Sequence, residues 1–150
     1  MKRKLEFRAW DEKRKTMFIV RTGFLPKGVT RKRDFFIGFN NTGLEVSEYE
    51  GKGAWRIFPV MQSTGMLDRN GKEIFEGDIL RYPDAYDCSS ENGYDWEEAL
   101  SVGEIEWDSN QAQFTVSNRQ SVDLECFFED ISEVEVIGNI YENPELLQSI

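Results

Sequence analysis

The amino-acid sequence predicts a mainly β fold, a β-rich α+β domain built as a small, partly open barrel or as two packed antiparallel sheets, with one or two short helices near the C-terminus. Three observations predict it. Apolar residues recur at every second position in several short runs, turn-forming residues separate those runs at close intervals, and one stretch alone prefers helical spacing.

The first runs are Leu5-Phe7-Ala9, alternating with Glu6-Arg8-Trp10, followed by the compact apolar segments Met17 to Val20 and Phe35 to Phe39. A period of two sends alternate side chains to opposite faces, so each run reads as a strand. Between the second and third lies Pro26-Lys27-Gly28-Val29-Thr30-Arg31-Lys32-Arg33, whose turn formers and four positive charges predict an exposed loop. Another strand begins at Trp55 and is interrupted by Pro59, which cannot donate to a ladder. Asn70-Gly71, flanked by Met66-Leu67 and Ile74-Phe75, predicts a two-residue type I′ hairpin, because this dipeptide best supplies two positive φ angles.

Glu76 to Tyr82 then enters a strand, and Asp84 to about Glu98 reads as an acidic connecting loop. Gly103-Ile105-Trp107 and Ala112-Phe114-Val116 alternate with polar residues on either side of Asp108-Ser109-Asn110, an antiparallel hairpin with one wet face. Leu124, Phe127, Phe128 and Ile131 fall at i, i+3, i+4 and i+7 behind Ser121 as N-cap, which predicts a short helix from about Val122 to Ile131. Val134-Val136-Gly138-Ile140 resume the period of two. Asn143-Pro144 predicts a last helical turn with the asparagine as cap and the proline at its first position.

A chain of 150 residues suits one domain, in which folding removes roughly 70% of the extended surface from water. The expected organisation is a single domain over residues 1–150, with a basic β portion to about residue 65 and an acidic, barrel-like portion from about residue 66. No apolar run approaches the roughly 18 residues of a spanning helix, and the lysines after Met1 lead into alternation rather than a signal core. A cytoplasmic protein with no membrane partner is expected. Cys88 and Cys126 form no CxxC pair and read as two reduced, buried thiols.

The absence of histidine removes the usual general base, the imidazole metal ligand and the third member of most nucleophilic triads. Carboxylate chemistry with a hard cation survives that exclusion. No catalytic residue, metal ligand or cofactor is expected. The net charge of −10 also hides an asymmetry, because residues 1–33 hold 12 Lys and Arg against three acids, a balance of +9, and the remainder stands at −19. Opposite fields of this kind steer association with partners or with further copies of the chain.

Four stretches carry candidate sites. Asp68-Arg69-Asn70-Gly71 imitates the opening of a calcium loop, but its glycine is fourth rather than sixth, so a hairpin turn is expected. Glu73, Glu76 and Asp78 read as turn-capping and ion-pairing carboxylates, with a hard-metal site as the alternative. In Gly138 to Pro144 the structural reading is a corner where Gly138 allows close backbone approach and Asn139 binds peptide groups. The rival is a binding corner that displays Asn139, Tyr141 and Glu142. The basic segment is the leading binding candidate: Lys13, Arg14, Lys15, Lys27, Arg31, Lys32 and Arg33 offer phosphate contacts, with Trp10 and Phe35 nearby as stacking surfaces, and charge pairing within or between chains as the plainer use.

Read together, FRAWDEKRKTMF at Phe7 to Phe18, MQSTGMLDRNGKEIFEGDIL at Met61 to Leu80, GEIEWD at Gly103 to Asp108 and VIGNIYENPELL at Val136 to Leu147 resemble the successive signatures of the YopX family, in the family's order. Ser63 stands where an aromatic is often found, and Leu67 where a charge is frequent. The resemblance implies an origin in a phage or integrated prophage, a largely β fold and no established activity, with no catalytic residues to carry over. The function expected first is therefore a non-enzymatic accessory module that engages a host or phage protein. A nucleic-acid-binding accessory using the basic loop comes second, and a carboxylate and Mg2+ enzyme acting on phosphate esters third.

Overall fold

The computed structural model describes residues 5–21, 25–41, 43–85, 89–90, 93–94, 98–117 and 133–148. It is antiparallel β throughout these residues, and the chain divides into two compact units, Met1–Ser63 and Thr64–Ile150.

In the first unit β1 (Phe7–Asp11) lies between β2 (Thr16–Ile19) and the first half of β6 (Val60–Leu67), antiparallel to both. After a 3-10 turn at Lys32–Asp34, a three-stranded meander follows from β3 (Phe35–Asn40), β4 (Gly43–Gly51) and β5 (Ala54–Ile57). Ala9, Phe18, Val46 and Phe58 form the core, with Val20, Phe35, Ile37 and Val60 packed against them. Phe18 meets Phe58 edge to face at 5.6 Å, and Phe35 lies about 6 Å from both rings (6.0 and 6.1 Å). Such contacts add about 0.5–1.5 kcal/mol each beyond the area they bury.

The strand at β4 is absent from the sequence expectation, because Glu45, Ser47, Glu48 and Glu50 break up its apolar residues. The first strand also differs. Leu5 is 63% exposed, whereas Glu6, Arg8 and Trp10 are buried. Both faces of β1 are buried, Ala9 on one and Arg8 and Trp10 on the other, and Glu6 keeps a partner in Arg21 at 3.3 Å.

In the second unit the end of β6 pairs with β7 (Glu73–Phe75), and a four-stranded sheet runs in the order β12-β11-β8-β13. Its members are β8 (Asp78–Ala85), β11 (Glu98–Asp108), β12 (Gln113–Val116) and β13 (Glu135–Asn139). The acidic stretch expected as a loop contains the paired two-residue strands β9 (Ser89–Ser90) and β10 (Gly93–Tyr94). Ile74, Leu80, Tyr82, Ile105, Phe114, Val116 and Val134 form this unit's core. At Gly103 the strand β11 leaves no room for a side chain, since a Cβ would meet the Ser117 carbonyl oxygen at 2.1 Å.

Three hairpins are closed by the same device, an aspartate whose carboxylate accepts backbone N–H groups of the turn it opens. Asp11 takes those of Lys13 and Arg14, Asp108 those of Asn110 and Gln111, and Asp68 those of Asn70 and Lys72. The positive φ that ends each turn falls on Lys15, Ala112 and Gly71. Among the described residues Asn70 has no positive φ, so the expected type I′ turn is corrected. Gly71 N–H donates to the Asp68 carbonyl and Asp68 N–H to that of Lys72. This is the three-residue hairpin loop with glycine in the left-handed position, favoured because the Asp68 carboxylate rewards a tight turn one residue earlier.

The last 3-10 turn spans Pro144–Leu147, with proline at its start as expected. Asn143 does not cap it: its Oδ1 accepts from Asn139 N–H at 3.4 Å, across the gap left by the missing side chain of Gly138. The helix expected over Val122 to Ile131, and both cysteines, lie outside the described residues.

Candidate functional site

Antiparallel register fixes which side chains share a face of the β3-β4-β5 meander, because residues directly opposite one another point the same way. Phe35, Ile37, Val46 and Arg56 face the core, and the opposite face carries Phe36, Ser47, Tyr49, Trp55 and Ile57. On that outer face Phe36 is 46% exposed, Tyr49 36%, Trp55 49% and Ile57 64%. Ser47 lies between Phe36 and Ile57 in the register and is buried beneath them. The Phe36 ring lies over Gly38, where a Cβ would come within 2.5 Å of the ring's tip.

Tyr49 and Trp55 are cross-strand neighbours, their ring centroids 5.3 Å apart and tilted by 52°. The sharp Lys52-Gly53 turn between their strands is tied down by Gly53 N–H donating to the Tyr49 hydroxyl at 3.0 Å. Beside the two rings an open groove of about 550 Å³ is lined by Arg31, Arg33 and Asp34 on one side and by Tyr49, Glu50, Gly51 and Trp55 on the other.

Beneath this end of the sheet, on the core side, runs a chain of ion pairs. Arg14 grips Glu48 with two nitrogens, at 2.6 and 2.7 Å, and reaches Asp11 at 2.8 Å. Arg56 spreads its three nitrogens over Asp11, Glu48 and Glu50, each at 2.9 Å, with its guanidinium 4.6 Å from the centre of the Phe58 ring. Planar guanidinium forks suit this shared, bidentate pairing. The hydrogen bond from Arg14 is the main cause that holds Glu48 below the usual carboxylate range. Burial works against the charge of Asp11, but bonds from Arg14 and Arg56 outweigh it, and its pKa also falls.

The predicted basic cluster is thereby sorted, with Arg14 taken up by Asp11 and Glu48 and Lys15 by Glu12. Arg31 and Arg33 are exposed and reach the groove, and Lys27 is exposed; the Lys32 side chain lies outside the described residues. Among the described residues no ion pair engages Arg31, Lys27 or Lys52. Trp10 offers no stacking surface, since it is only 2% exposed and its indole N–H donates to Glu12 at 2.7 Å. Phe35 is likewise turned into the core. The rings that line the groove with Arg31 and Arg33 are Tyr49 and Trp55 instead. The cue that could have found them is the pair of aromatics flanking a Lys-Gly turn, Tyr49 and Trp55, which marks a hairpin with two cross-strand neighbours.

The other candidates are built into the fold. The Asp78 carboxylate is buried and accepts Phe75 N–H at 2.8 Å, closing the turn through Gly77, whose φ is 81°. Arg81 pairs with Glu135 at 2.6 Å rather than with Glu76 or Asp78. Asn139 is buried, its Oδ1 accepting from Tyr141 and Glu142 N–H and its Nδ2 donating to Glu142 Oε2 at 2.8 Å. Tyr141 is half-buried and Glu142 exposed. Among the described residues no cluster of three metal-ligating side chains occurs, and no helix is long and apolar enough to cross a membrane.

Comparison with known proteins bears on this arrangement. The family model described as YopX protein matches residues 6–148. The chain belongs to the YopX family. It is also similar to a solved structure, the crystal structure of protein EF1440 from Enterococcus faecalis, at 31% identity, over 95% of this chain and 97% of that one, with a TM-score of 0.50. No curated protein matches. The four stretches that resemble YopX signatures carry Asp11, Asp68, Asp78, Asp108 and Asn139, the side chains that close the turns. The outer aromatic face at Phe36, Tyr49, Trp55 and Ile57 lies outside all four.

Proposed function

We propose that this YopX-family chain is a phage- or prophage-encoded cytoplasmic accessory protein that acts by binding rather than by catalysis, and that the outer face of β3-β4-β5 is its binding surface. The observation that carries this reading is the row of Phe36, Tyr49, Trp55 and Ile57, four large apolar side chains 36 to 64% exposed on one sheet face, with Arg31 and Arg33 at its rim. Aromatic side chains and arginine are the residues that supply most binding energy at interfaces, and a contiguous exposed apolar patch marks an interaction site. Four buried or half-buried carboxylates serve the fold: Asp11 and Glu48 pair with arginines, and Asp68 and Asp78 accept backbone N–H groups.

The test is capture from host bacterial lysate with tagged wild-type protein and with Trp55→Ser, whose side chain is half exposed. Loss of the material retained by the wild type, with the unfolding temperature of the variant unchanged, supports the face as the binding surface. Equal retention by the two proteins overturns it.

A further inference from the structure

We propose that the partner of this face is a single-stranded nucleic acid, with a base stacked on Trp55 and Tyr49 and its phosphates held by Arg31 and Arg33; the proposal rests on the binding-face reading above. The first ground is geometric. A single strand needs exposed ring faces for its unpaired bases and cations spaced along its backbone. The groove sets both within one cavity of about 550 Å³, in the size range of small-ligand sites, which suits one stacked base with its phosphate. A duplex keeps its bases inside and has no use for such rings.

The second ground is charge. The unit that carries the face holds 14 Lys and Arg against seven Asp and Glu over residues 1–63, a balance of +7, while residues 64–150 hold four against 21, a balance of −17. A phosphate backbone is drawn to the first and repelled by the second. The groove itself contains two carboxylates, and both are compensated: Glu50 lies 2.9 Å from Arg56 and Asp34 lies 3.9 Å from Arg33. Arg31 has no ion pair among the described residues and is left to meet a phosphate. The third ground is composition. Three of the four exposed side chains on the face are aromatic, and every base has a π face that can stack on such rings.

The experiment is fluorescence anisotropy of labelled 12-mers of oligo-dT and oligo-U, titrated with purified full-length protein from low to physiological salt, beside a duplex of the same length. Saturable binding of a single strand that exceeds the duplex is expected, with dT against U telling DNA from RNA. Trp55→Ala should weaken it by roughly 5- to 150-fold, the range for losing one base stack. Arg31→Gln and Arg33→Gln should each lower the slope of log K against log salt by about 0.7. Trp107→Ala, a 47% exposed tryptophan of the other unit, should leave binding unchanged. The arginine variants remove exposed side chains, so they report even if Trp55→Ala unfolds. No binding at low salt, or binding that none of the three variants in the face alters, overturns the proposal. If oligonucleotides fail while Trp55→Ser still abolishes capture of a nuclease-resistant protein, the nucleic-acid proposal falls and the binding face stands; if capture is also unaffected, both fall.

Discussion

Replacing Asp68 by alanine removes the acceptor for three backbone donors at once. Its Oδ1 takes Asn70 and Lys72 N–H at 2.8 and 2.9 Å, and its Oδ2 takes Val136 N–H at 3.0 Å, so one carboxylate closes the β6-β7 hairpin and holds the start of β13 to it. Hydrogen bonds to a charged group contribute about 1.5–3 kcal/mol each. Asn70 and Lys72 are exposed, and their amides recover water, so the loss should total about 2–4 kcal/mol rather than three full bonds. For a chain of 150 residues that corresponds to a fall of roughly 5–15 °C in the unfolding temperature of this unit. The pH dependence gives a second handle. Burial disfavours the charge on Asp68, yet the donors at Val136, Lys72 and Asn70 outweigh it and lower its pKa. A depressed carboxylate stabilises the fold fully above the unfolded value of about 3.9 and loses that contribution as pH falls through the folded value. Scanning calorimetry of wild type and Asp68→Ala at pH 7 should therefore show the full deficit, and the gap should narrow as pH is taken below about 3.9. A variant within 2 °C of wild type, or a gap independent of pH, would refute the assignment of Asp68 as the pivot of these elements.

Three further outcomes test other parts of the structure. Gly103→Ala would drive a Cβ into the Ser117 carbonyl and Val116, at 2.1 and 2.8 Å, and should cost at least about 2 kcal/mol by denaturant unfolding; an unchanged midpoint would mean that β11 and β12 are not so closely paired there. Burial first, then Glu106 and Glu76, raise the pKa of Glu104, so its ionisation opposes folding increasingly as pH rises from the unfolded value of about 4.3 through the folded one. Glu104→Gln should accordingly raise the unfolding temperature at pH 7 and make no difference near pH 4, in paired thermal melts. Asn139→Ala should cost about 1–3 kcal/mol, because it strips the acceptor from Tyr141 and Glu142 N–H, and should leave lysate capture intact; intact stability with lost capture would make that corner a binding site instead.

The second unit was the more legible from sequence. Its strands keep apolar residues on one face at a strict period of two, as at Ile105-Trp107 and Phe114-Val116, and such a pattern is contained within any short window. The strand β4 was hidden because Glu48 and Glu50 look solvated in sequence, whereas their partners are Arg14, 34 residues away, and Arg56. Long-range ion pairs of this kind leave no local trace. Trp10 misled for a related reason: its neighbours Arg8 and Asp11 are polar and suggest a wet face, yet all three side chains are buried in the fold. The candidate site was half visible. Arg31 and Arg33 stood out as charge, but Tyr49 and Trp55 become a pair only through the β4-β5 register, which is set by the Lys52-Gly53 turn.

Hydroxyl-radical footprinting of the protein, free and loaded with the material it captures from host lysate, tests the binding face most directly. Trp55 and Tyr49, and with them Phe36, are exposed and react in the free protein, and Trp107 provides an internal reference in the other unit. Trp55 and Tyr49 should become protected on loading while Trp107 reacts as before. Protection of Trp107 with Trp55 and Tyr49 unchanged would place the binding surface on the other unit and contradict it.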